Sequence, residues 1–206
     1  YRVLIEDSCA VGVEFESDGR RQRARARREV ISCAGAIGSP MLLQQSGIGP
    51  AAVLDDAGIS VVHELPGVGE NLQDHYAIRI VARVRGADTI NDRARGLSLA
   101  REIARWVLRR PSILGLSPSL VHVFCSSIEG LESPDLQFVF SPASYKAAQA
   151  GMLDNFPGMT CGVWQHRPES TGFVRALSTD PYAAPRIQPN YLAAENDRHV
   201  LLAGMR

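Results

Sequence analysis

Four glycines bracket a short apolar segment at residues 35–49, and this stretch, GAIGSPMLLQQSGIG, constrains the backbone more than any other part of the chain. Glycine lacks a Cβ atom, so it permits left-handed backbone angles and the close approach of other groups. Residues 30–35 form an apolar run that predicts a short strand ending in small residues. Ser39 and Pro40 are the N-cap and first-turn residues typical of a helix that runs to Gln45. The stretch therefore predicts a strand, a tight turn and a helix.

Another glycine pair lies in the segment GVGENL, at residues 67–72. The dinucleotide-binding fingerprint requires a third glycine, and Leu72 occupies its place. Two interpretations of the glycine groups stay open. They are either turn and packing glycines, which we favour, or parts of a loop that faces a cofactor.

The N-terminal region has the alternation of strands. Residues 2–6 and 11–16 predict a hairpin, and Ser17-Asp18-Gly19 predicts a further turn. Residues 20–28 carry six arginines, which fit either an anion or nucleic-acid patch or a solvated hairpin arm. No aromatic residue interleaves these charges, which favours the arm. The whole chain has 22 basic and 22 acidic residues, so no global field attracts nucleic acid, and we predict no such partner.

Pro50 begins a predicted second helix, which Gly58 ends in the left-handed conformation, and residues 59–63 predict a strand. Residues 64–75 predict a long loop that crosses between two domains. Beyond it, residues 91–110 predict one amphipathic helix with Trp106 in the core.

Five strands are predicted after the crossing loop, and short turns connect most of them. Because sequential strands joined by turns pair in antiparallel fashion, the predicted fold class is α+β, a mostly antiparallel sheet with flanking helices and the long helix on one face. The strands are residues 76–84, 120–124, 136–140, 160–166 and 172–177.

Cysteine spacing and hydropathy exclude several classes of protein. The four cysteines are widely separated, so the sequence predicts no metal site and a reduced, cytoplasmic protein. No apolar run is long enough to predict a membrane span. The chain opens in a predicted strand without an initiator Met and closes in a helical pattern without a cap, so we expect it to be a segment of a longer protein.

Four motifs together carry a resemblance to a known family. The stretch GAIGSPMLLQQSGIG resembles the second signature of the glucose-methanol-choline (GMC) oxidoreductases, which are flavoenzymes that oxidise alcohols. The segments LPGVGENLQDH (65–75), RPESTG (167–172) and PRIQPNY (185–191) resemble later landmarks of that family, in the same order. The resemblance covers essentially the whole chain, and its pattern is similar to bacterial choline and alcohol dehydrogenases.

The resemblance implies an activity and a division into domains. It implies a parent enzyme that oxidises a small alcohol to an aldehyde by hydride transfer to FAD, while a histidine of a C-terminal motif takes the alcohol proton. Residues 1–75 would be the tail end of an FAD-binding α/β domain and the crossover. Residues 76–186 would be the substrate-binding domain, and residues 187–206 would begin the return. Neither the family's glycine fingerprint nor its catalytic histidine motif matches these residues, so no catalytic residue is assigned and the chain is not expected to retain FAD.

The resemblance also suggests site residues. Cys33, Ala34 and Gly35 would let the backbone approach the cofactor. The alternation of strands places side chains in same-face pairs, and one pair is expected to line the alcohol pocket. The pairs are Phe138 with Phe140 and Trp164 with His166.

Further expectations concern the histidines and possible partners. His122 and His166 are expected to be structural or pocket-lining, because neither matches the catalytic motif. Asp74 and His75 would tie two domains together or lie near the flavin. An unpaired strand edge in residues 1–35 would permit self-association. The competing hypothesis is a non-catalytic binding or interaction module derived from the same fold.

Overall fold

The structure is a computed structural model that describes residues 1–117, 119–146 and 151–206. The chain divides into two compact units. Unit 1 comprises Tyr1–Asp74 and Glu169–Ala193, and unit 2 comprises His75–Pro168 and Ala194–Arg206. The division of the chain into functional domains stays a prediction.

The secondary structure is a mixture of short helices and mostly antiparallel strands, which confirms the predicted α+β class. The strands are β1 (Arg2–Glu6), β2 (Cys9–Ser17), β3 (Arg20–Arg25), β4 (Ile48–Gly49), β5 (His63–Glu64), β6 (Glu70–Leu72), β7 (Ile78–Arg83), β8 (Val121–Cys125), β9 (Leu136–Ser141), β10 (Gly158–Gln165), β11 (Gly172–Arg175) and β12 (Arg186–Gln188). The helices are α1 (Gly35–Gln45), α2 (Ala51–Asp56), α3 (Ile90–Arg93), α4 (Gly96–Val107) and α5 (Glu195–Gly204), with a 3-10 turn at Ile113–Gly115.

Unit 1 begins with the predicted hairpins, in the antiparallel order β1-β2-β3. The first connection is shorter than predicted, because Asp7 and Ser8 both take positive φ and form a two-residue turn. The arginines of β3 are exposed, and two of them pair with neighbouring carboxylates, Arg23 with Glu14 and Arg25 with Glu6. The exposure and these ion pairs fit the solvated arm, which stays a prediction.

The prediction for residues 30–40 was wrong in two respects. Residues 30–33 have no regular secondary structure and Ala34 is a bend with ψ of 9°, and no strand within the described residues pairs with them. Helix α1 begins at Gly35, so Ser39 is not its N-cap and Pro40 lies inside it. As the sixth residue of α1, this proline donates no hydrogen bond to the Ala36 carbonyl and crowds it. The Ser39 hydroxyl accepts from the Ala34 N–H. Self-association through this segment stays a prediction.

Helix α2 ends as predicted, but β5, the strand that follows it, is shorter than the strand predicted for residues 59–63. Gly58 has a φ of +71°, and the Ile59 N–H donates to the Leu54 carbonyl in the bond pair that closes a helix. This bond occupies the Ile59 N–H, and the Ile59 side chain is buried with Leu54 and Ala57. The pairing of β5 with β4 therefore begins only at His63.

A buried amide holds unit 1 together. Gln44 is fully buried, and its side-chain NH2 group donates to the carbonyls of Val68 and Val174, at 3.3 and 2.9 Å. Its carbonyl oxygen accepts from the Ala176 N–H at 2.7 Å. The amide therefore connects α1 to β11. The prediction placed this strand in one sheet with the other strands that follow the crossing loop, but it pairs with β6 and β12 instead.

Unit 2 contains an antiparallel sheet with the order β7-β10-β9-β8. The helix packed on it is α5, where a Cβ atom at Gly204 would lie 2.7 Å from Leu136 and 2.8 Å from Val163. The predicted helix over residues 91–110 was wrong, because α3 ends at Arg93 and α4 begins at Gly96, whose φ is +50°.

Trp106 of α4 was also predicted wrongly as a core residue. Its side chain contacts Gly115 but is 53% exposed. The physical reason is that α4 packs on α3 and the 3-10 turn with Glu102 buried, while the Trp106 ring touches Gly115 at its edge, so the apolar stripe is only partly covered.

Within the described residues, no group of three or more His, Cys, Asp or Glu side chains that could hold a metal ion comes together, and all four cysteines are free thiols. The absence of a metal site stays a prediction. Within the same residues, no helix has the length and apolar character that crossing a membrane requires.

Candidate functional site

The register of the unit 2 sheet separates the two predicted aromatic pairs. Trp164 lies opposite Gln137, and Gln137 lies opposite Phe124, so these side chains share one face. Phe138 lies opposite Val163, on the face that α5 covers, and Phe140 follows it there. Of the two pairs, Trp164 and His166 therefore lie on the face away from α5.

Four rings form a cluster on this second face, which we call the Trp164 cluster: His75, Phe124, Trp164 and His166. The centroid of the His75 ring lies 5.9 Å from that of Trp164 and 5.7 Å from that of His166, stacked on the latter. Phe124 meets His166 edge to face at 5.1 Å. Nε2 of His75 lies 3.0 Å from the backbone oxygen of His166. The cluster is thus a defined aromatic wall.

Sequence reasoning missed Phe124 as a site residue, and it expected His75 to tie two domains together or to lie near the flavin, not to join an aromatic wall. His75 ends the motif LPGVGENLQDH. Phe124 lies two residues after His122 in β8, so the two side chains share one face of the strand. A hydrogen bond from Gln137 to Nδ1 of His122, at 3.2 Å, connects the β8 histidine to the same face. The alternation of β8 predicts that Phe124 lies on the same face as His122. Only the pairing of β8 with β9 shows that this is also the face of Trp164.

Two buried polar atoms of the cluster have no hydrogen-bond partner. Within the described residues, the indole Nε1 of Trp164 and Nδ1 of His166 are both buried and unpaired. An unsatisfied buried donor or acceptor costs about 1–3 kcal/mol, so native proteins rarely leave one without a reason. The His166 backbone is fixed, since its N–H donates to the Asp135 carbonyl at 2.6 Å. The cluster therefore contains an indole N–H and an imidazole nitrogen whose hydrogen-bonding capacity no described residue uses.

Unit 1 contains a cleft of about 440 Å³ beside the N-terminal half of α1. The backbone bends sharply there, since Asn71 has a φ of +57° and Gly69 one of +82°. The lining residues are Ala36, Pro40, Gly69, Glu70, Asn71, Leu72, Gln73 and Val174. Ala36 and Pro40 give the wall beside α1 small side chains, whereas Glu70, Asn71 and Gln73 give the opposite segment polar ones.

The three residues predicted to bind a cofactor lie next to this cleft in sequence but do not line it. Cys33, Ala34 and Gly35 are exposed at the start of α1, and a Cβ atom at Gly35 would meet nothing within 4 Å. The neighbouring Ala36 lines the cleft. A larger cavity of about 530 Å³ lies beside β1, but it contains none of the candidate residues.

The end of the motif LPGVGENLQDH falls on the boundary between the units, with Asp74 in unit 1 and His75 in unit 2. The Tyr191 hydroxyl donates to the Asp74 carboxylate, and this bond raises the pKa of Tyr191. Tyr191 ends the motif PRIQPNY, so two of the family-like motifs meet in unit 1.

Comparison with known proteins connects this arrangement to one family. Residues 1–77 match the profile of the GMC oxidoreductases. The chain is 40% identical over 197 residues to an oxygen-dependent choline dehydrogenase of Vibrio vulnificus, covering 96% of this chain and 35% of that protein. It is 38% identical to the corresponding protein of Photobacterium profundum, covering 96% of this chain and 34% of that protein. The chain thus spans about a third of the length of the curated relatives it matches.

Solved structures support the same assignment at the level of fold. A variant of the Aspergillus oryzae RIB40 formate oxidase made to study FAD modification matches with a TM-score of 0.86 and 24% identity, over 100% of this chain and 41% of that one. A pyridoxine 4-oxidase from Mesorbium loti matches with a TM-score of 0.76 and 23% identity, over 98% of this chain and 36% of that one. With the four motifs in family order and sequence similarity over almost the whole chain, these findings show that the chain belongs to the GMC oxidoreductase family.

Proposed function

We propose that this chain forms part of an FAD-dependent oxidoreductase that oxidises a small alcohol to an aldehyde by hydride transfer to the flavin. The observation that carries the proposal is the Trp164 cluster, an aromatic wall with two buried polar atoms that lack partners. FAD, when bound, supplies the hydride acceptor. The chain supplies walls and ligand contacts, and none of its residues is assigned as the base.

The Trp164 cluster would bind and orient the alcohol. The indole N–H of Trp164 would donate to the substrate oxygen, which satisfies the unpaired donor. The rings of His75 and Phe124 would exclude water and contact the carbon skeleton. Aromatic faces also attract quaternary ammonium groups, and relatives of this chain are named choline dehydrogenases, so choline belongs in any substrate panel.

The cleft in unit 1 would hold part of the FAD. Its residues fit the group, because the small side chain of Ala36 leaves the start of α1 open to close contact and Asn71 turns the chain at the cleft wall. Cys33, Ala34 and Gly35, which lie just before Ala36, stay predicted cofactor neighbours.

The proposal is tested with the complete gene product, whatever its length. We expect a flavin absorbance spectrum and dye-linked oxidation of at least one member of a panel containing choline, ethanol and benzyl alcohol. A gene product that binds no flavin and oxidises no alcohol would instead support the competing interaction module.

Phenylalanines on opposite faces of the sheet provide a matched pair of variants. We expect Phe124→Ala to lower kcat/KM for the preferred alcohol by roughly tenfold, because it removes ring contacts on the substrate side. The same change at Phe140, on the α5 face, should alter kcat/KM by less than about twofold. Trp164→Phe, which deletes the N–H and keeps an aromatic ring, should lower kcat/KM by about tenfold. Bound flavin is measured in each variant, and equal losses for Phe124→Ala and Phe140→Ala would disprove the assignment of faces.

Residues 1–206 expressed alone should retain no flavin after desalting and should reduce no dye with any alcohol. The reason is that Leu72 interrupts the only fingerprint-like glycine segment and that no histidine here matches the family's catalytic motif. Absorbance spectra and dye reduction check this expectation. A yellow or active preparation would contradict it.

A further inference from the structure

Strand pairing holds only part of the cleft wall that residues 69–73 form in unit 1. β6 pairs with β11 at two positions, and the register shifts between them. Gln73 also lines the cleft, but it follows the last residue of β6 and lies outside this ladder. Contacts other than strand pairing therefore hold the Gln73 end of the wall.

The residue that follows Gln73 is bound to Tyr191. The Tyr191 hydroxyl donates to the Asp74 carboxylate, and both residues belong to unit 1. This bond raises the pKa of Tyr191, so the phenol keeps its proton and remains a donor at neutral pH. Both residues are exposed, and a polar contact at the surface contributes little to the free energy of unfolding. The bond therefore acts mainly on the position of the chain at Gln73 and Asp74.

The segment that carries Tyr191 is itself held in place. The side-chain NH2 group of Asn190 donates to the Thr171 carbonyl at 3.0 Å, and its side-chain oxygen accepts from Nε2 of Gln188 at 3.0 Å. Asn190 has a φ of +55°, a conformation that asparagine tolerates better than most residues. The preceding strand β12 pairs with β11, the strand that also pairs with β6. Tyr191 therefore extends from a segment that is fixed relative to the cleft wall.

We propose that Tyr191 is a positioning residue for FAD, because its bond to Asp74 holds Gln73 where the wall of the cleft binds the cofactor. Tyr191 does not line the cleft, so it acts through Asp74. A wall that is already ordered loses less conformational freedom when a ligand binds, and a segment that visits other arrangements binds only in proportion to its competent fraction. This inference rests on the proposed function, which assigns the cleft to part of the FAD.

The test is titration of FAD into the flavin-free form of the complete gene product, followed by flavin fluorescence. We expect Tyr191→Phe, which deletes the hydroxyl and keeps the ring, to raise the Kd for FAD roughly tenfold. Asp74→Ala should raise it by a similar factor. The double variant should bind no more weakly than either single variant, because all three lack the same bond.

A conservative variant and a matched control separate positioning from a general loss of structure. Asp74→Asn keeps an oxygen that accepts from the Tyr191 hydroxyl, so its Kd should stay within about threefold of the unmodified protein. Tyr182→Phe also deletes an exposed hydroxyl of unit 1, one that accepts from Tyr1 at 3.2 Å away from the cleft. Its Kd should change by less than about twofold. The urea midpoint of the flavin-free Tyr191→Phe protein should stay close to that of the unmodified protein.

The outcomes distinguish this inference from the proposed function. Flavin bound with equal affinity by Tyr191→Phe would overturn the positioning role alone. So would single effects of Tyr191→Phe and Asp74→Ala that multiply in the double variant, or an equal loss of affinity in Tyr182→Phe. A complete gene product that binds no flavin would contradict the proposed function and the positioning role together.

Discussion

Replacing Gly69 by alanine should lower the free energy of unfolding by about 3–5 kcal/mol, enough to unfold unit 1 in a protein of ordinary stability. Gly69 has a φ of +82°, which strains any residue with a Cβ atom. That atom would also lie 2.2 Å from the Val174 carbonyl oxygen and 2.4 Å from Nε2 of Gln44. Since both atoms belong to the buried Gln44 bond, the methyl group cannot enter without breaking it.

Gly67 is the matched control, two residues away in the same motif. A Cβ atom there meets nothing within 4 Å, so Gly67→Ala should change stability by no more than about 0.5 kcal/mol. Urea unfolding followed by circular dichroism measures both variants. If Gly67→Ala destabilised the chain as much as Gly69→Ala, the loss would come from a change in loop flexibility. The close contact of Gly69 with Val174 and Gln44 would then not be its cause.

Gln44→Leu should destabilise the chain by about 3–5 kcal/mol, because it leaves three buried backbone groups without partners. These are the carbonyls of Val68 and Val174 and the N–H of Ala176. The leucine has a similar volume, so the loss measures unsatisfied polar groups more than a cavity.

Gln45→Leu is the control for this change. Gln45 is half-buried and donates one hydrogen bond, to the Ser178 carbonyl at 2.8 Å, so its loss should amount to about 1 kcal/mol. Gln44→Leu and Gly69→Ala should be strongly non-additive when combined, because they disrupt the same bond. Equal effects of the two glutamine variants, in the same unfolding assay, would contradict the role given to the buried amide.

Local signals predicted the elements whose determinants are also local. The alternation of β1 and β2 and the Gly58 helix end depend on neighbouring residues, and the structure confirms them. The rule that a serine followed by a proline begins a helix failed at Ser39 and Pro40. The actual start at Gly35 extends α1 by one turn without a side-chain cap, so Pro40 lies inside the helix as its sixth residue.

Amphipathicity predicted that α4 has an apolar side but could not predict what covers it. Leu99, Ile103, Trp106 and Val107 lie on one stripe in both the sequence and the structure. The helix packs through Glu102 instead, since the Ile113 N–H and the Ser112 hydroxyl bind its carboxylate and carbonyl. A hydrogen bond between residues ten or eleven positions apart is invisible to a helical period.

The sequence by itself determined the family, through motifs whose residue types and order are specific, and it determined the α+β class, because period-two runs joined by turns produce antiparallel strands. Only the tertiary structure decided which aromatic residues share a face. Alternation pairs Phe138 with Phe140 and Trp164 with His166, but the face of each pair depends on the register between β9 and β10. That register, and the membership of β11 in the sheet of β6 and β12, follow from contacts between residues far apart in the chain, which no local pattern encodes.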